Sequence, residues 1–217
     1  MTESIAGLVR ICNAIIQNMK DTSFWLLVLF TSTYLFWGGA YFLQDLNFEF
    51  IIYVAVIILI FTGVLLWSRH VNFPLWQLWL LSFWGLLHIL GGAVQTGDGV
   101  LFAYRIYPFL DLGGEFYILK YDQVVHFYLY GVVALFAIHV LEKVLKAKGS
   151  FLVIALSVVL ISVGVSVLNE IMEFIISINM ENGVGGYENT MLDLIFNLSG
   201  AVLAVLLYRI TGWKKAS

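Results

Sequence analysis

Six stretches of this chain, residues 24–43, 50–67, 74–94, 122–141, 151–178 and 190–210, are about twenty residues long and almost free of charge. A run of about 18 or more apolar residues is long enough, as a helix, to cross the ~30 Å hydrocarbon core of a bilayer. The expected fold is all-α: a polytopic membrane helix bundle of about six transmembrane helices, forming one integral membrane domain over residues 1–217. Composition agrees, because 61% of the residues are hydrophobic and 12% charged, against about a quarter charged in a soluble domain. Cys12 is the only cysteine, which excludes an internal disulfide and a multi-thiolate metal site. No basic block points to nucleic acid. The first apolar run is too long for a cleavable signal peptide.

Residues 1–20 place Ile5, Leu8, Cys12, Ile15, Ile16 and Met19 at helical spacing, with Arg10, Asn13, Gln17 and Lys20 elsewhere on the wheel. This suits an amphipathic helix on the membrane surface, or one packed on the bundle. Residues 95–121 are the one long loop, and Gly113-Gly114 predicts a hairpin there between Val100–Tyr107 and Glu115–Tyr121. With six spans and a cytoplasmic N-terminus, nine of the eleven Lys and Arg residues fall inside and only Arg105 and Lys120 outside. That satisfies the positive-inside rule, and Trp25, Trp67, Trp76 and Trp213 fit an inner aromatic belt. The expected location is the cell's inner membrane, with both termini cytoplasmic.

The ionisable groups inside the spans are the second constraint, because charge in a bilayer is costly and usually marks a path or pocket. His88 lies ~20 Å up the third helix from Leu75. Asp122 and His126 open the fourth helix, Asn169, Glu170 and Glu173 lie near the end of the fifth, and Asp193 and Asn197 open the sixth. All fall in one layer on the outer side. Asp122/His126, Asn169/Glu173 and Asp193/Asn197 are each four residues apart, on a common helix face. Carboxylates and imidazoles contributed by several helices are how bundles build metal sites. The candidate ligands are His88, His126, Asp122, Glu170, Glu173 and Asp193, a set suited to one divalent ion such as Zn, Mn, Fe or Mg. Plainer roles stand beside these. Asp122 suits the N-cap of its helix, Thr190-x-x-Asp193 is similar to a capping box, and His88 or Asn197 can hydrogen-bond a neighbouring helix. His70 and His139 read as structural, and Gly131, Gly164 and Gly200 as close-packing positions.

Tyr121-Asp122-x-x-x-His126-Phe127, Asn169-Glu170-x-x-Glu173-Phe174 and Asp193-x-x-x-Asn197-x-x-Gly200-Ala201 follow in an order that resembles the VanZ-like membrane proteins. His88-Ile89-Leu90-Gly91-Gly92, with Tyr104 and Pro108 after it, is similar to a YjdF-like branch of bacterial membrane proteins. The likeness covers residues 85–205. Gln123 departs from it, standing where those proteins carry Lys or Arg, as does Phe174-Ile175 in place of a Trp. The resemblance implies a bacterial inner-membrane protein with a cell-envelope connection.

Three functions fit these residues. In a metal-assisted enzyme on a lipid or lipid-linked substrate, Glu173 and His126 would be catalytic. Tyr104, Arg105, Tyr107, Asn169 and Asn197 would bind the substrate, with Arg105 pairing a phosphate. In a transporter the same cluster would carry protons or a cation, although no inverted repeat or inner polar layer is apparent. In a non-catalytic protein the layer would only join helices.

Overall fold

Each apolar stretch forms one helix in the computed structural model, which describes residues 22–44, 46–97, 99–179 and 186–211. The amphipathic segment 1–20, Trp213 and the final lysines lie outside the described residues. The helices are α1 (Thr22–Gln44), α2 (Phe48–Val71), α3 (Leu75–Ala93), α4 (Tyr121–His139), α5 (Phe151–Asn179) and α6 (Tyr187–Thr211). A π-helical turn at Val140–Val144 extends α4. All six are long and apolar enough to cross a membrane. Local chemistry sets their ends. Asn47 caps α2, its Oδ1 accepting from the Phe50 amide at 3.3 Å. Asn72 ends the same helix in the left-handed region at φ 55°, where asparagine is tolerated. Pro74 then precedes α3, where its missing N–H costs nothing.

The helices pack around two cores that share α4. Phe42, Phe50, Ile57, Trp84 and Val125 belong to the core of α1 to α4, and Ala134, Val158 and Ala201 to that of α4 to α6. The closest approach is between α4 and α6. A Cβ on Gly200 would lie 2.0 Å from the Phe127 carbonyl oxygen, and one on Gly131 would lie 3.3 Å from the Gly200 oxygen. Small residues let backbones meet in this way where lipid supplies no hydrophobic drive. Gly164, expected to do the same, does not: it lies on the exposed face of α5, and a Cβ there would meet nothing within 4 Å.

Between α3 and α4 the chain forms two small antiparallel ladders. Strand β1 (Gln95–Thr96) pairs with β2 (Gly99–Val100), and β3 (Arg105–Gly113) with β4 (Phe116–Lys120). Gly113 and Gly114 make the turn at φ 88° and 61°, angles that glycine adopts at little steric cost. The expected first strand, Val100–Tyr107, is corrected to Arg105–Gly113. Val100 pairs with Gln95 instead, and Leu101–Ala103 forms a 3-10 turn. That turn lowers the Phe102 ring onto Gly91, where a Cβ would stand 2.5 Å from it, and stacks it parallel to Phe50 at 6.3 Å. Burying this ring outweighs continuing the strand.

The hairpin is locked to α4 by Gln123, which is fully buried. Its Oε1 accepts from the amides of Leu119 at 2.8 Å and Lys120 at 3.0 Å, and its Nε2 donates to the Tyr117 carbonyl at 2.9 Å. Leu119 is thereby held at φ 84°, a strained angle for a residue with a side chain. The N-cap of α4 is accordingly Lys120, not Asp122, which sits in the first turn and pairs with Lys120 at 3.5 Å. The capping box at Thr190 is also corrected. Because α6 begins at Tyr187, Thr190 and Asp193 lie inside the helix, and Asp193 accepts from Asn189 Nδ2 at 2.7 Å.

Candidate functional site

The contact of Gly200 with Phe127 brings the start of α6 against the start of α4, and α5 closes the third side. On these three helices stand His126, Asn197 and the pair Glu170 and Glu173. His126 Nδ1 is 3.1 Å from Asn197 Oδ1 and 3.5 Å from Glu170 Oε1, and its Nε2 is 3.9 Å from Glu173 Oε1. Asn197 Nδ2 donates to Glu170 Oε1 at 3.3 Å, and Asn169 Nδ2 donates to Glu173 Oε1 at 2.7 Å. Asn197 is fully buried and Glu170 is 6% exposed. One ligand atom from each of His126, Glu170 and Glu173 lies within 4.8 Å of the others; among the described residues no other His, Asp or Glu trio does so.

This trio fits a divalent ion on three counts. Ligands held 2.0–2.2 Å from a tetrahedral ion stand ~3.4 Å apart, and one ligand atom from each of the three side chains lies within 4.8 Å of the others, near enough for small side-chain shifts to close on an ion. Two carboxylates and a neutral imidazole carry the charge that balances a dication. Glu170 Oε2 is buried with no hydrogen-bond partner among the described residues, which leaves a lone pair for a ligand in an otherwise satisfied network. Nitrogen and carboxylate donors suit Zn, Mn, Fe(II) or Mg.

Of the other expected ligands, none joins the trio. Asp122, Asp193 and His88 line a cavity of about 70 Å³ that His126 and Glu173 of the trio also line, together with Asn189. Asp193 is 1% exposed, and its Oδ1 has no hydrogen-bond partner among the described residues. His88 is surrounded by aromatic rings, with centroids 5.3 Å from Tyr53, 5.6 Å from Trp84 and 5.0 Å from Phe102. Asn169 and Asn197, expected to touch substrate, each donate to one of the glutamates, and Asn169 also lines the larger cavity beyond Glu173. Tyr104, Arg105 and Tyr107 are exposed and line neither this cavity nor the larger one beyond Glu173. Arg105 is engaged within the hairpin: it donates to the Gly114 carbonyl at 3.0 Å, pairs with Asp111 at 3.9 Å and lies over the Tyr117 ring.

Four residues enter the site unannounced. Glu49 and Tyr53 of α2 line the small cavity, and Tyr53 hydrogen-bonds Glu49. Their four-residue spacing was the available signal, hidden because Glu49 reads as part of an acidic loop. Lys120 donates to Asn189, which in turn donates to Asp193. Asn189 and Asp193 are again four apart.

On the opposite side the polar contacts are isolated. His139 Nε2 meets the Val71 carbonyl at 3.1 Å, Gln77 donates to the Leu135 carbonyl at 3.1 Å, and Tyr208 donates to Glu142 at 2.6 Å. Each joins one pair of segments, as Thr31 and Ser82, 2.6 Å apart with Tyr34 beside them, join α1 to α3, and no trio of His, Asp or Glu forms there among the described residues.

Residues 23–214 match the model of a family described as "Predicted membrane protein (DUF2238)", and the chain belongs to that family. No curated protein and no solved structure matches the chain.

Proposed function

We propose that this DUF2238 protein is a membrane-embedded, metal-dependent enzyme acting on a lipid or lipid-linked substrate of the cell envelope, with one divalent ion held by His126, Glu170 and Glu173. The observation that carries this reading is the convergence of those three side chains from α4 and α5, with a buried glutamate oxygen left unpaired. A network serving only to join helices has no need to gather two carboxylates around one imidazole, because bringing like charges together in a buried site is costly. A proton or cation path would need a continuation on the far side, where no second trio of His, Asp or Glu forms among the described residues.

A divalent ion in this trio would polarise a carbonyl or phosphoryl oxygen and make a water acidic near neutral pH. The chain's own groups supply the rest. Glu173, partly exposed and facing the cavities, would hold the ion through one carboxylate oxygen and take a proton from the attacking water through the other. Asn169 holds Glu173 in place for that transfer, and Asn197 holds Glu170 and His126. The acid-lined cavity of about 70 Å³ supplies the water.

The orientation that supports an envelope substrate comes from charge. Arg69, Lys143, Lys146, Lys148 and Arg209 lie at the ends of α2, α4 and α6 away from the hairpin, and Arg105 and Lys120 lie on the hairpin side. The positive-inside rule puts the site toward the outer face of a bacterial inner membrane, in keeping with the likeness to VanZ-like and YjdF-like proteins. The test is elemental analysis of protein extracted in mild detergent and titrated with Zn, Mn, Fe(II) or Mg. One ion per chain, lost in His126→Ala, is expected. A protein that holds no ion after titration overturns the proposal.

A further inference from the structure

Resting on the metal-site reading for what happens at its polar end, we infer that the crevice between α2 and α5 binds a single long acyl or isoprenoid chain of the substrate. A cavity of about 420 Å³ lies there, with Val56, Ile60 and Val64 of α2 on one wall and Val165 and Leu168 of α5 on the other. The volume is in the range of ligand pockets, but the shape is not that of a compact ligand. The lining on α2 runs from Tyr53 to Trp67, which is about 21 Å of helix. A space that follows the helix over that length is elongated, which suits an extended hydrocarbon chain.

Polarity orders the crevice end to end. Tyr53, His88, Asn169 and Glu173 stand at one end, and the rest of the lining is apolar apart from the Trp67 and Trp84 indole N–H groups and the Tyr130 hydroxyl. Tyr53, His88 and Glu173 also line the acid-walled cavity of about 70 Å³, so the two spaces meet at these side chains. Ile60 and Leu168 on the walls are 38% and 67% exposed, which opens the crevice sideways to the bilayer. A lipid of the leaflet nearest the site can therefore slide in laterally. Its tail would follow α2 toward the membrane centre, and its ester, carboxyl or phosphate end would reach Glu173 and His126. The small cavity is too narrow for a large head group, so it serves water and ions rather than the lipid.

The test uses the full chain in phosphatidylcholine nanodiscs and a long-chain fatty acid bearing a terminal diazirine, with labelled residues mapped by mass spectrometry after photolysis. Labelling concentrated on Val56, Ile60, Val64 and Leu168, and competed away by excess oleate, is expected. Ile60→Trp or Leu168→Trp should abolish it. Labelling that oleate does not compete, or that is equally strong on the exposed α6 residues Leu206 and Ile210, means annular lipid only and overturns the inference. So does undiminished labelling in both tryptophan variants. Competition on the wild-type chain keeps the test decisive if a variant fails to fold. Glu170→Ala separates the two readings, because Glu170 belongs to the trio but does not line the crevice: it should lose the ion and keep the labelling. A wild-type protein that labels as expected yet binds no ion would refute the metal centre and leave the chain-binding crevice standing.

Discussion

His126 Nδ1 lies 3.1 Å from Asn197 Oδ1, while the amide nitrogen of Asn197 is already committed to Glu170. That commitment fixes the direction of the first bond. The asparagine oxygen can only accept, so His126 carries its proton on Nδ1 and turns the Nε2 lone pair toward Glu173. Asn197 thus selects the tautomer able to bind an ion. Asn197→Leu is expected to weaken metal binding ~10–100-fold, the usual effect of losing such an orienting partner. Chelator-competition titration measures it, and unchanged affinity would remove Asn197 from the site.

The trio excludes His88, which contacts rings instead. His88→Ala should therefore keep one ion per chain, whereas Glu173→Ala or Glu170→Ala should not. Elemental analysis of the three variants distinguishes this arrangement from a centre that includes all the buried ionisable groups.

Gly200 and Gly164 look alike in sequence and should behave in opposite ways. A methyl on Gly200 collides with the Phe127 carbonyl, and forcing atoms into a packed contact costs about 1–3 kcal/mol. Gly200→Ala should therefore lower thermal stability and, by parting α4 from α6, weaken metal binding as well. Gly164→Ala meets open space and should be neutral or stabilising by about 0.5–1 kcal/mol, from helix propensity alone. Thermal unfolding in detergent reads both.

Gln123 stands where the VanZ-like pattern carries a cation, yet here it works as an acceptor. Gln123→Lys cannot accept from Leu119 or Lys120, and Gln123→Leu orphans the Tyr117 carbonyl as well. Each buried group left unpaired costs about 1–3 kcal/mol. Both variants should lower the unfolding midpoint and make the hairpin more sensitive to protease. A Gln123→Lys protein as stable as wild type would contradict the lock described here.

Orientation is open to labelling in a Cys12→Ser background. Leu112→Cys at the hairpin and Leu145→Cys beyond α4 are both exposed positions. A membrane-impermeant maleimide should modify Leu112→Cys in intact cells and Leu145→Cys only after permeabilisation. The reverse pattern would turn the site toward the cytoplasm.

The helices were legible because six apolar runs admit few other folds, and the level of the site was legible because ionisable residues stand out in such runs. Which of them meet was not legible. Spacing places His126 and Glu173 each on a face of its own helix, but the rotation of α4 against α5 and α6 depends on Gly200 and Phe127, far apart in sequence. His88 was read as a ligand because an imidazole at its depth needs company. Aromatic rings from α2, α3 and the loop provide it, and no local spacing announces them. The start of the hairpin's first strand is hidden in the sequence for a related reason, since Phe102 leaves the strand to cover Gly91.

The contact between Trp84 and His88 makes the protein its own spectroscopic probe. Trp84 is 5% exposed, lines the crevice and lies against the imidazole at 5.6 Å, whereas Trp25, Trp37, Trp67 and Trp76 are each about half exposed on the outer surface of the bundle. Indole emission depends on the polarity and the charge of what touches the ring. A chain that displaces water from the crevice will therefore shift the fluorescence of Trp84 and of Trp67 at the crevice's other end, whereas an ion that changes the charge beside His88 acts on Trp84, the indole in contact with it. Occupancy of both spaces can be followed in unlabelled protein, in real time, with Trp84→Phe as the blank.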